Sequence, residues 1–143
     1  MSLFAGQDRE ALRDAWRTAW QRHLQRLPLE PLQVQMADLI ALHPEYHSQL
    51  SATPAAAAAA DADATTTANS FLHLSLHLAL REQLGTNRPA GIAAVYRTLS
   101  ATALDPHALE HRMIEVLAQT LWDAQRAGRM PDERQYLDGL RGL

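Results

Sequence analysis

The stretch DPHALEHRMIEVLAQTLWDAQRAG, residues 105–128, decides the fold. Aspartate followed by proline starts a helix: the carboxylate caps free backbone N–H groups, and proline at the first helical position has no N–H to lose. Gly128 supplies the stop, because glycine takes the left-handed conformation that ends helices without steric cost. Projected at about 100° per residue, His107, His111, Ile114, Ala118 and Leu121 share one arc. Glu110 falls on that arc and Glu115 at its edge. The pattern predicts a long helix that turns one stripe toward a core.

The same periodicity extends outward in both directions. Between Asp8 and Leu27, large apolar residues recur at Leu12, Trp16, Trp20, Leu24 and Leu27, with arginines on the opposite face. Pro31 opens a second helix carrying Leu32, Met36, Leu39 and Ile40, and Pro44 interrupts it because proline offers no N–H. Asn69 or Ser70 is the expected cap of a helix over 71–84 that Gly85 closes. Further helices are expected over 91–101, after Pro89, and from Asp132 through Leu140. No stretch alternates with a period of two between hairpin turns. Residues 52–68 include six consecutive alanines followed by DADATTTA. Lacking large apolar residues, this segment reads as a flexible linker. The expectation is an all-α, single-domain bundle of about six helices over 1–143, with an alanine-rich linker inside it.

Composition narrows the chemistry. Of 143 residues, 47% are hydrophobic and 20% charged; 13 basic residues against 16 acidic give a net charge of −3. A chain this long forms a core without staples, and an acidic balance argues against nucleic acid as partner. Cysteine is absent, which excludes disulfides, thiol nucleophiles and thiolate metal sites. All the basic residues are arginine, so Schiff-base and Walker-type lysine chemistry is excluded as well. The N-terminus lacks the basic and apolar regions of a secretory signal. The most apolar run, residues 71–80, is about half the length of a membrane span. A cytoplasmic protein without membrane attachment is expected.

Six of the seven histidines form three pairs four residues apart: His43 and His47, His73 and His77, His107 and His111. Random placement would give roughly 0.3 such pairs. Residues four apart on a helix stack above one another, so two imidazoles can converge on one ion from a rigid element. A single inward histidine is ordinarily a hydrogen-bonded core residue; inward pairs on two helices suggest a shared centre, since buried imidazoles and carboxylates are costly unless paired or ligated. The expected metal ligands are His73, His77, His107 and His111, with His47 and Glu115 next and His43 and Glu110 after them. Nitrogen and oxygen donors without thiolates suit zinc or iron first, then manganese, nickel or copper. His23, beside the tryptophan stripe, reads as structural.

Two other readings compete with this one. The histidine pairs could be core or pH-sensing elements of a metal-free interaction module, with the arginines and linker serving a protein partner or self-association. Residues 107–111, His-Ala-Leu-Glu-His, also match the His-x-x-Glu-His pattern of inverted zinc proteases, in which Glu110 would activate water. The Glu-x-x-His spacing of ferritin-like di-iron bundles is absent. The row His107, His111, Glu115 looks more like the ligand rows of hemerythrin-type bundles.

HPEYH (43–47), NSFLHLSLH (69–77), RPAGI (88–92), DPHALEHRMIE (105–115), LWDAQRAG (121–128) and PDERQYL (131–137) together resemble the bacterial family catalogued as domain of unknown function 1841. The resemblance runs from about Asp8 onward, outside the alanine-rich segment. It implies a fold type and no activity.

Overall fold

The computed structural model describes residues 6–50 and 64–143, with side chains from 10–50 and 69–143. Among them are six α-helices, one 3-10 helix and no strand, so the protein is all-α. No helix among the described residues is long and apolar enough to cross a membrane. The chain divides into two compact units, one ending at Leu74 and the other spanning Ser75–Leu143.

In the first unit, α1 (Gly6–Leu24) packs on α2 (Pro31–Ala41), and the 3-10 helix Pro44–Leu50 packs on both. Burial follows helical spacing: Trp16, Ala19 and Trp20 on α1, then Met36, Ala37, Leu39 and Ile40 on α2. Gln21 Nε2 donates to the Leu50 carbonyl at 2.8 Å and ties the 3-10 helix to α1. The guanidinium groups of Arg13 and Arg17 each lie 5.4 Å from the ring centre of Phe71, within cation–π range. The expected extension of α1 to Leu27 does not occur. Arg26 adopts a left-handed φ of 57°, and the Leu27 N–H turns back to the Arg22 carbonyl at 3.0 Å, closing the helix.

The helix α3 (Ala64–Thr86) starts earlier than its apolar pattern suggests. Asn69 and Ser70 are interior residues rather than caps, and residues 64–68, read from sequence as linker, are helical. Residues 64–68, ATTTA, include no large apolar residue, so the apolar pattern gives no sign of this first part of the helix. The remainder of the expected linker lies outside the described residues.

The second unit combines the later turns of α3 with α4 (Ile92–Ser100), α5 (Pro106–Ala127) and α6 (Glu133–Arg141). Its core holds Leu80, Ile92, Val95, Leu109, Met113, Ile114, Leu117, Tyr136, Leu137 and Leu140. The Tyr136 hydroxyl donates to Gln83 Oε1 at 2.7 Å, and burial pushes its pKa up to about 12. The buried stripe of α5 is centred on Leu109, Met113 and Leu117. It is rotated from the expected arc: His107 and His111 flank it half-buried, Leu121 is exposed, and so is Trp122.

Both ends of α5 are built as its sequence predicts. Asp105 Oδ1 accepts from the His107 N–H at 3.0 Å, Pro106 opens the helix, and Gly128 ends it at φ 64°. Asp105→Ala is expected to destabilise the protein by about 1 kcal/mol, the usual cost of losing such a cap. Urea denaturation would measure this as a lower midpoint with an unchanged slope.

Candidate metal centre

In the second unit, α3 carries His77 and α5 carries His107, Glu110 and His111. His77 is fully buried and Glu110 is 7% exposed. His77, His107 and Glu110 each offer one donor atom, and all three atoms lie within 4.8 Å of one another. This group could hold a metal ion. His111 brings a nitrogen within the same distance of one from His77. Ring centres are 5.7 Å apart for His77 and His107, 5.5 Å for His77 and His111, and 4.1 Å for His107 and His111.

The donor spacing fits coordination. Two ligands at ~2.05 Å on a tetrahedral ion stand roughly 3.3 Å apart. His77 Nε2 lies 3.3 Å from Glu110 Oε1. Arg81, one turn beyond His77, donates from Nε to Glu110 Oε1 at 3.0 Å and from Nη2 to Oε2 at 3.4 Å. Burial alone would push the Glu110 pKa up, but the hydrogen bonds and charges of His77 and Arg81 outweigh it and hold the carboxyl at about 2. Glu110 is therefore a carboxylate at neutral pH. A carboxylate offers about four lone-pair sites, so Arg81 leaves acceptor capacity for an ion.

The first unit contains a second histidine contact. His43 Nδ1 lies 2.7 Å from the Leu39 carbonyl, and its Nε2 lies 3.1 Å from Nε2 of His73. A carbonyl only accepts, so Nδ1 carries the proton. In the neutral ring Nε2 of His43 is then the acceptor, and His73 donates to it from Nε2. Tyr46 stacks on the His43 ring at 5.4 Å, nearly parallel.

His47 and Glu115 have other places. Pro44 opens a 3-10 helix, so four residues advance the side chain by about 120° beyond a full turn, against about 40° in an α-helix. His43 and His47 therefore diverge. His47 Nε2 donates to the Ile40 carbonyl at 2.8 Å, and its ring lies 4.6 Å from that of Trp20. Glu115 is exposed on α5, outside the donor group. His23 stacks on the indole of Trp20, with ring centres 5.1 Å apart. Sequence reading passed over Arg81, although it continues the row His73, His77 at the same four-residue interval.

Fold and donor set together define an all-α protein with buried histidines and a buried carboxylate grouped closely enough to hold a metal ion. A family model described as domain of unknown function (DUF1841) matches residues 8–142, nearly the whole chain, and the protein belongs to that family. No curated protein matches the chain, and no solved structure does.

Proposed function

We propose that the protein binds a divalent transition-metal ion through His77, His107 and Glu110, with His111 as a further donor. The observation that carries this reading is the convergence of three donor atoms within 4.8 Å at a buried position. Two imidazoles and a carboxylate, without thiolate, suit zinc or iron, and then manganese, nickel or copper. Arg81 acts on the ion indirectly, by keeping Glu110 anionic and fixing its orientation. The His-x-x-Glu-His reading gives Glu110 a different task. Here its oxygen is a donor beside two histidines, and the support is for metal binding without an assigned reaction.

Elemental analysis of protein purified without a histidine tag tests this. Wild-type protein should retain metal through gel filtration. His77→Ala and His107→Ala should each lower retention at least tenfold, whereas His23→Ala should leave it unchanged. Because the ion binds only the folded state, saturation at a hundredfold excess over Kd should raise stability by about 2.7 kcal/mol. Protein that retains no metal, and whose Tm does not move on adding zinc, iron or manganese, would refute metal binding and favour the metal-free interaction module.

A further inference from the structure

The donor group on α3 and α5 is poor in negative charge. Histidine binds a metal ion as neutral imidazole, so His77 and His107 contribute nitrogens and no charge, and His111 would add another neutral nitrogen. Glu110 is the one anionic donor of the group. Arg81 spans that carboxylate, from Nε to Oε1 at 3.0 Å and from Nη2 to Oε2 at 3.4 Å, and its positive charge cancels it. Asp105 and Glu115, the acids on either side of Glu110 in the chain, are exposed and screened by water. A divalent ion bound here therefore keeps both of its positive charges uncompensated at a buried position, where unpaired charge is costly.

The pair with Arg81 also limits how many positions Glu110 can fill. Oε1, 3.3 Å from His77 Nε2, is the oxygen that faces the donor group, while Oε2 is held by Arg81 Nη2. One oxygen and two nitrogens, or three with His111, fall short of the six ligands that these ions can take. Access comes from one side. His77 and Glu110 are buried, whereas His107 and His111 are half-buried and a third of the Arg81 side chain is exposed.

On the reading that this group holds a metal ion, we infer that the ion takes an oxyanion from outside the chain, a phosphate or carboxylate group, as its further ligand. Arg81 sets this preference by cancelling the charge of Glu110. The anion replaces bound water, gives one oxygen to the ion, and supplies the negative charge that the chain's own donors lack.

The test uses cobalt(II), a visible-absorbing stand-in for zinc, on full-length, tag-free protein passed through gel filtration to remove free ion. Cobalt content is measured first. Sodium phosphate and sodium acetate are then titrated separately, at an ionic strength held constant with perchlorate. The visible bands should shift saturably, with one anion per cobalt and unchanged cobalt content; a response to only one of the two anions restricts the ligand to that group. Arg81→Gln, loaded to the same cobalt content, should bind the anion about tenfold more weakly, whereas Arg81→Lys, which restores the charge, should bind it nearly as wild type does. Bands that neither anion moves, or cobalt stripped from the protein by both, would overturn the inference and leave the metal site standing. Equal anion affinity in folded Arg81→Gln and wild-type protein would also overturn it. Protein that holds no cobalt would refute the metal reading itself, and the inference with it. The wild-type titration decides the matter even where a variant fails to fold.

Discussion

Glu110→Ala should abolish metal retention and, measured in the presence of a chelator, still destabilise the protein by about 3 kcal/mol. Removing one partner of a buried ion pair leaves the other charge or dipole uncompensated, which costs about 3–5 kcal/mol when the site is closed. Here the value falls at the low end, because the Arg81 side chain is a third exposed and recovers some hydration. His77 has no such recourse, being fully buried. Glu110→Gln separates the two contributions. The amide keeps the shape and an acceptor for Arg81, so the chelated variant should lose less than Glu110→Ala, yet it lacks the charge that binds an ion. Equal metal content in Glu110→Gln and wild-type protein would remove Glu110 from the ligand set. Urea unfolding with and without chelator gives both readings from one preparation.

Trp16→Ala should be the most costly substitution in the first unit, at about 3–5 kcal/mol. Trp16 is fully buried on α1, in the unit where α2 buries Met36, Ala37, Leu39 and Ile40, and a cavity of indole size cannot collapse between packed helices. Trp16→Phe should cost far less, below about 1.5 kcal/mol. Nε1 of Trp16 is buried with no hydrogen-bond partner among the described residues. Phenylalanine removes that unmet donor while keeping an aromatic ring, so its smaller volume is offset by a desolvation cost no longer incurred. A Trp16→Phe loss as large as that of Trp16→Ala would mean the indole N–H is satisfied by solvent.

The helices were legible because each carries its own signals. Asp105, Pro106 and Gly128 bound α5 in the sequence as they do in space, and Asp132 caps α6 through the Gln135 N–H at 3.0 Å. Where a helix opens on residues with no large apolar side chain, as over ATTTA before Asn69, the apolar pattern starts too late. Four-residue spacing on α3 and α5 picked out His77 and His107, which the fold groups with Glu110, because α-helical geometry preserves it. His43 and His47 do not share an α-helix, since a 3-10 helix opens at Pro44 between them and four residues there do not realign side chains. Glu115 lies outside the donor group for a different reason: projection places a residue to within about one position on a helix, and the buried face of α5 is rotated away from it. Arg81 went unread since an arginine at helical spacing ordinarily marks a solvated face, and only the carboxylate opposite gives it a buried partner.

The three tryptophans divide in a useful way. Trp16 and Trp20 are buried in the first unit, the latter against the imidazoles of His23 and His47, whereas Trp122 stands exposed on α5 in the second. Indole emission shifts to longer wavelength with polarity, and dissolved iodide quenches only rings it can reach. The intrinsic fluorescence of this chain is therefore two superposed spectra: a blue, shielded one from residues 16 and 20, and a red, quenchable one from residue 122. Without a label or a substitution, light alone can follow each half of the molecule separately.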